Sequence, residues 1–356
     1  MPYLDHHAAT PLGAAAATAM AAATDAWANP SSVHGPGRRS RALLENARAQ
    51  VAGALGAASA DIVFTSGGTE ACDLAIAGGE RPSRVITWAL AHPAVQGSVD
   101  TWADAGVPVE RVGVSTELEA GEGDLVIVPW VDHETGLVLD LAAIRERCAG
   151  ARLVVDANQA LGRLPIDVEA LGVDALAIAS HKIGGPSGAG ALWVRRDRAL
   201  EPRLSGGGQE RGRRGGSPGV LPLVGFGAAC EALPERLASM ARVAEWRDRL
   251  EAVAVSLGGV VNGAESARVA SCVNVSFRGW RAEHLVPALD LEGLAVSAGA
   301  ACSSGTTEPS PGVASLYPDE PWRALSAIRL SLGPEGLDDG AIDEAAAILR
   351  RVVPRA

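Results

Sequence analysis

Seven short apolar runs, at 62–64, 85–87, 109–112, 125–128, 153–155, 175–178 and 191–194, recur through the first two thirds of this chain. Several are separated by segments of helical periodicity, beginning with Leu43, Leu44, Ala47, Val51 and Leu55 at three- and four-residue spacing. Near-continuous apolar strands suit a mostly parallel sheet covered by helices on both faces. The pattern therefore predicts an open α/β sheet spanning residues 15–235. Beyond the Gly/Arg stretch 205–219 it changes: 226–257 reads as long helices, and single strands at 273–277 and 328–332 flank helical stretches around 281–289 and 341–352. This is the pattern of a smaller α+β lobe. At 356 residues the chain exceeds the usual size of one core, which also predicts two lobes.

With 47% hydrophobic and 21% charged residues, the chain can bury a core and does not read as disordered. A net charge of -11, with most arginines interleaved with acids, argues against a general nucleic-acid binder. The opening Met1, Pro2, Tyr3, Leu4, Asp5, His6, His7 lacks the basic start and apolar run of a secretory signal. No stretch of about 18 uncharged apolar residues follows, so the expectation is a cytoplasmic protein without a membrane segment. The 5 cysteines are odd in number, widely spaced and free of CxxC pairs, which predicts free thiols and no metal site. Cys72, Cys148, Cys230 and Cys272 fall in or beside apolar elements and read as packing residues. Cys302 instead lies among Ser, Gly, Ala and Thr, where a partly exposed thiol can act as a nucleophile.

Ligands of open α/β sheets bind beyond the carboxyl ends of the strands, so the residues there carry most information. The run 62–64 leads into Thr65, Ser66, Gly67, Gly68, Thr69 and Glu70. Small residues at a strand-to-helix turn leave N–H groups for a phosphate, although the same signature serves as an ordinary cap. It is not a nucleotide P-loop, since GxxxxGK[ST] is missing. The run 153–155 ends in Asp156, with Gln159 three residues on, and 175–178 leads to Ser180, His181 and Lys182. A lysine that can form a Schiff base, with an acid to pair a protonated ring nitrogen, is the minimal apparatus for pyridoxal phosphate. Taken singly, each also reads as a solvated Lys and a turn-capping Asp. Lys182 is the chain's one lysine, and arginine stays protonated and cannot take its place.

Nine ordered motifs give the residues a common context: YLDH with Thr10 and Pro11, NPSSVHGPGRRSR from Asn29, DIVFTSGGTE from Asp61, AHPAV around His92, VDANQALGRLPID from Val155, HKIGGPSGAGALWVRR from His181, GGGQERGRRGGS from Gly206, SAGAACSSG from Ser297 and IRLSLG from Ile328. In these the chain resembles the cysteine desulfurases of the housekeeping iron–sulfur type, class V aminotransferase-like enzymes of fold-type I. The resemblance implies a pyridoxal-phosphate-dependent homodimer with a large cofactor domain (15–235) and a small domain (1–14 and 236–356). It implies Lys182 as the Schiff-base lysine, His92 stacked on the cofactor ring, Asp156 at the ring nitrogen and Gln159 at the phenolic oxygen. Gly68, Thr69, Ser180 and His181 fall at the phosphate, and Ser217 stands for a family Thr that reaches it from the other subunit. Asn29 and Arg329 fall at the substrate, Arg329 with a fork suited to a carboxylate. Cys302 takes the sulfur of L-cysteine as a persulfide, leaving L-alanine, for delivery to a sulfur-acceptor or iron–sulfur scaffold protein.

The chain departs from the family at four further positions, and its loop between Val112 and Leu125 is short. Asp132 and His133 replace two Asn residues, Ala179 replaces a Ser and Ala9 a Thr. His133 is expected at the phenolic oxygen in place of the second Asn. The departures leave open a related C–S or selenocysteine lyase, an aminotransferase, or a non-catalytic partner protein of the same fold.

Overall fold

The computed structural model describes residues 1–299 and 308–353. The seven predicted strands are present, each within a residue of its expected limits: β1 (Ile62–Thr65), β2 (Arg84–Trp88), β3 (Val109–Val112), β4 (Asp124–Pro129), β5 (Arg152–Asp156), β6 (Ala175–Ala179) and β7 (Gly190–Val194). They form one sheet in the order β1-β7-β6-β5-β4-β2-β3. From β6 to β3 all neighbours are parallel, whereas β7 runs antiparallel to both β6 and β1. The reason is local: the connection 180–189 is shorter than the dozen or so residues a parallel crossover needs.

Alternate residues of each strand feed opposite faces, as a period of two requires. Ile62, Phe64, Val126, Val128, Val155 and Ile178 join one core with the helices Gly35–Ala54 and Val220–Glu231. Val63, Leu125, Ile127, Val154 and Ala177 join another with the helices Gly68–Ala77 and Pro93–Asp104. Because both faces are covered, β4 to β7 are buried almost throughout, while the edge strand β3 carries exposed Glu110 and Arg111.

A second, antiparallel sheet has the order β10-β9-β8, formed by β8 (Gly259–Val261), β9 (Cys272–Phe277) and β10 (Ala327–Ser331). Helices Met240–Ser256, Ala282–Leu291 and Asp339–Val352 pack on it through Val243, Leu250, Leu285, Ile342 and Leu349. Leu4 is buried in the same core, since Tyr3 and Asp5 bridge to Ala295 and Ser331. The strands at 273–277 and 328–332 were legible, but the three-residue β8 and the helix Ala14–Ala22 were not. Cys72, Cys148, Cys230 and Cys272 are buried as expected of packing residues. No described helix is long and apolar enough to cross a membrane.

Candidate active site

Parallel strands bring their carboxyl ends to one edge of the sheet, and a cavity of about 230 Å³ lies there. From β1 come Gly68 and Thr69, from β2 His92, from β4 Pro129 and His133, from β5 Asp156, Asn158 and Gln159, and from β6 His181 and Lys182. The small sheet adds Arg329 of β10, and the N-terminal segment adds His7 and Ala8.

Lys182 ends a single 3₁₀ turn, Ser180–Lys182, directly after β6. Its Nζ donates to the carbonyl oxygens of His7 (2.5 Å) and Ala8 (2.9 Å). The N-terminal segment is laced back to this turn, because Thr10 donates from its N–H to the His181 carbonyl (2.8 Å) and from Oγ1 to the Lys182 carbonyl (3.0 Å). Gly185 is required here: a Cβ would stand 2.1 Å from Ser180 Oγ.

Asp156, the last residue of β5, is buried, and its Oδ1 accepts from the N–H (3.0 Å) and Nδ2 (2.6 Å) of Asn158. Burial pushes its carboxyl above the ordinary range despite those bonds, so a cation beside it would be welcome. Gln159 donates from Nε2 to the His7 carbonyl (2.8 Å), and its Oε1 is buried without a partner among the described residues. Gly68 lets the helix Gly68–Ala77 start against this strand end, since a Cβ there would lie 2.4 Å from Asn158 Oδ1.

His92 caps the helix Pro93–Asp104, its Nδ1 accepting from the Ala94 N–H at 3.0 Å. Burial, then the charges of His133, Lys182 and Arg329, bring its imidazole down to about 3, so the ring is neutral with its proton on Nε2. Burial and Lys182 bring His181 down to about 4. The His133 ring meets that of His92 edge-on, with centroids 4.9 Å apart. Its Nδ1 is 3.5 Å from Asp132 Oδ1 and its Nε2 3.8 Å from Glu134 Oε1, so two buried carboxyls flank one imidazole. Burial raises Glu134, whereas the His133 contact and the Thr135 hydroxyl and N–H outweigh burial at Asp132 and bring it below its ordinary value.

Arg329 is 1% exposed. It donates from Nη2 to Asp5 Oδ1 (2.7 Å) and from Nη1 to the carbonyls of His133 (2.8 Å) and Gly299 (3.2 Å). It is therefore both a buried ion-pair partner and part of the cavity wall.

The sequence-derived residues Gly68, Thr69, His92, His133, Asp156, Gln159, His181, Lys182 and Arg329 thus meet in one cavity. Ser180 is buried behind it, exposed Ser217 does not line it, and exposed Asn29 instead accepts from the Ser31 N–H (2.8 Å). Cys302 lies outside the described residues. Sequence reasoning missed His7, Ala8 and Asn158; the first two act through carbonyls far along the chain, whereas Asn158 stood between two chosen residues.

A family model, aminotransferase class-V, matches residues 2–336. The chain is 36% identical to an IscS-like cysteine desulfurase of Mycobacterium tuberculosis, over 100% of this chain and 97% of that protein. It is 38% identical to a cysteine desulfurase of Enterobacter agglomerans, over 86% of this chain and 82% of the relative. Among solved structures, a NifS-like protein from Rickettsia africae superposes with a TM-score of 0.87 at 26% identity, covering 99% of both chains. SspA in complex with cysteine superposes at 0.81 with 27% identity, covering 95% of this chain and 100% of that one. The chain therefore belongs to the class-V aminotransferase family, and within it to the cysteine desulfurases.

Proposed function

We propose that the cavity holds pyridoxal phosphate on Lys182 and takes L-cysteine, releasing L-alanine and leaving the substrate sulfur on Cys302. The observation that carries this reading is the meeting of the chain's one lysine, the buried Asp156 and the Gly68 helix terminus in one cavity. The donor set fits the cofactor. Lys182 can bond its carbonyl carbon, Asp156 can pair with a cationic ring nitrogen, and the helix terminus with Thr69 and His181 suits a phosphate. When bound, pyridoxal phosphate supplies an electron sink for cleaving bonds at the α and β carbons of an amino acid.

The chain's own residues then have distinct tasks. The His7 and Ala8 carbonyls orient Lys182, and neutral His92 keeps a proton on Nε2 for exchange at the cavity wall. Arg329 offers a planar fork to the substrate carboxylate while Asp5 fixes its orientation. Sulfur transfer breaks the Cβ–S bond of cysteine and forms an S–S bond at Cys302. The thiol proton replaces sulfur on the β carbon, so cysteine plus thiol becomes alanine plus persulfide. The same proposal includes a homodimer in which Ser217 serves the other subunit's phosphate, a cofactor domain of 15–235, a small domain of 1–14 with 236–356, and an acceptor protein or iron–sulfur scaffold for the persulfide.

The test is to incubate the cofactor-loaded protein with L-cysteine and measure alanine, sulfide and the mass of the Cys302 peptide. The reading expects alanine and a persulfide on Cys302, both lost in Cys302→Ser with cofactor retained. Wild-type sulfide release by Cys302→Ser would indicate a lyase, and a need for a keto acid an aminotransferase.

A further inference from the structure

The Gly/Arg stretch 205–219 contributes nothing to this chain's own cavity, yet it is firmly tied down. Glu210 and Arg211 have φ of 47° and 58°, the positive-φ non-glycine residues among those described, so the backbone is held in an unfavourable shape. What holds it is specific. The buried Glu210 carboxylate accepts from Arg48 at 2.6 and 2.8 Å and from the Phe64 N–H of β1 at 2.8 Å. Four residues on, Arg214 donates to both oxygens of Glu70, at 2.7 and 3.2 Å. Gln209 Oε1 accepts from the Gly216 N–H (3.1 Å), next to exposed Ser217.

Glu70 connects this loop to the cofactor turn. It follows Thr69, which lines the cavity, and accepts from the Ser66 N–H at 2.7 Å, closing the turn on itself. It also lies in the first turn of the helix Gly68–Ala77, whose terminus is the expected phosphate seat. A lone carboxylate there would repel a phosphate; Arg214 neutralises it. Burial pushes Glu70 up, but the bonds from Arg214 and Ser66 outweigh burial and keep the carboxyl below its ordinary value.

We propose that Glu70 and Arg214 are positioning residues that couple the two cofactor sites of a homodimer. The pair shields the phosphate turn of its own chain and sets the loop that carries Ser217 to the other chain's phosphate. The inference rests on the reading that Ser217 crosses between subunits.

Hybrid dimers test it, with Lys182→Ala in one chain so that only the other can bind cofactor covalently. The apo dimer is titrated with pyridoxal phosphate and the visible band is read. In the first hybrid Arg214→Ala sits in the lysine-bearing chain, and in the second it sits in the Lys182→Ala chain. Each should weaken binding about tenfold against the hybrid with both arginines, the size of a lost charge-assisted hydrogen bond. Adding Glu70→Gln to the lysine-bearing chain should restore the first hybrid, because no unpaired carboxylate then faces the phosphate; general loss of structure would not be repaired this way. Unchanged affinity in the first hybrid, or no restoration by Glu70→Gln, overturns the coupling. Weakening of the first hybrid alone means that the loop does not cross, which removes the crossing of Ser217 and the inference built on it. A monomer in sedimentation removes the dimer reading at the outset.

Discussion

Lys182 shows how one residue acquires a role from its surroundings. Its chemistry is that of any lysine, but the strand end places it against two carbonyls of the N-terminal segment and in one cavity with Asp156. Gly68 and Arg329 are two further residues whose identity the proposed site depends on. Gly68→Ala would set a methyl 2.4 Å from the Asn158 amide oxygen and separate the phosphate turn from the ring-nitrogen side of the cavity. The expected outcome is at least about tenfold weaker pyridoxal-phosphate binding, the effect of about 1.4 kcal/mol, with folding retained. Equilibrium titration of the apo protein checks it. Arg329→Lys should raise KM for cysteine at least about tenfold with the cofactor band retained, because an ammonium cannot span Asp5 and a carboxylate as a guanidinium does. An unchanged KM in steady-state kinetics would place Arg329 in structure alone. At this scale the sequence pointed to side chains that meet in one cavity, since motifs keep most of them at strand ends. It did not show that the His7 and Ala8 carbonyls face Lys182, because backbone groups leave no signature in residue type.

At the scale of elements, legibility follows burial. The seven strands of the large sheet could be read because apolar residues persist from position to position in most of them. The helix Ala14–Ala22 could not, since a run of alanines has no apolar face to recognise. The loop 205–219 was visible as a motif and a composition but not in its shape, because its order depends on Arg48, more than 150 residues away in sequence. Glu210 and Arg48 are both buried, so Glu210→Ala strips the Phe64 N–H of its acceptor and leaves Arg48 only the half-exposed Glu45 and the Ile62 carbonyl, which should cost about 1.5–3 kcal/mol. Arg242→Ala, which breaks exposed pairs with Glu245 and Asp339 and a contact over the Trp246 ring, should cost less in urea unfolding, on the order of 1 kcal/mol. Equal losses from the two variants would contradict this ranking.

For the whole molecule, the inward-facing histidines set the response to acid. Burial brings His6 and His92 down to about 3, His181 to about 4 and His7 well below its ordinary value. In the unfolded chain the same groups bind protons near ~6.5. Between about 6.5 and 4 the unfolded state therefore takes up more protons on these histidines, and their contribution to stability falls as pH falls. Asp156 and Glu134, raised by burial, act in the opposite sense but are fewer. The apo protein should show a urea midpoint that drops steadily from pH 7 to pH 5, whereas a flat or rising midpoint would mean that these histidines are not buried neutral.

The central claim is that one cavity, built around one lysine, holds the cofactor. Borohydride reduction of the loaded protein, followed by peptide mass mapping, tests it directly. One phosphopyridoxyl mass per chain on the peptide containing Lys182 is the expected result. A label on the N-terminal amine, the other primary amine in the chain, or no label at all, would contradict it.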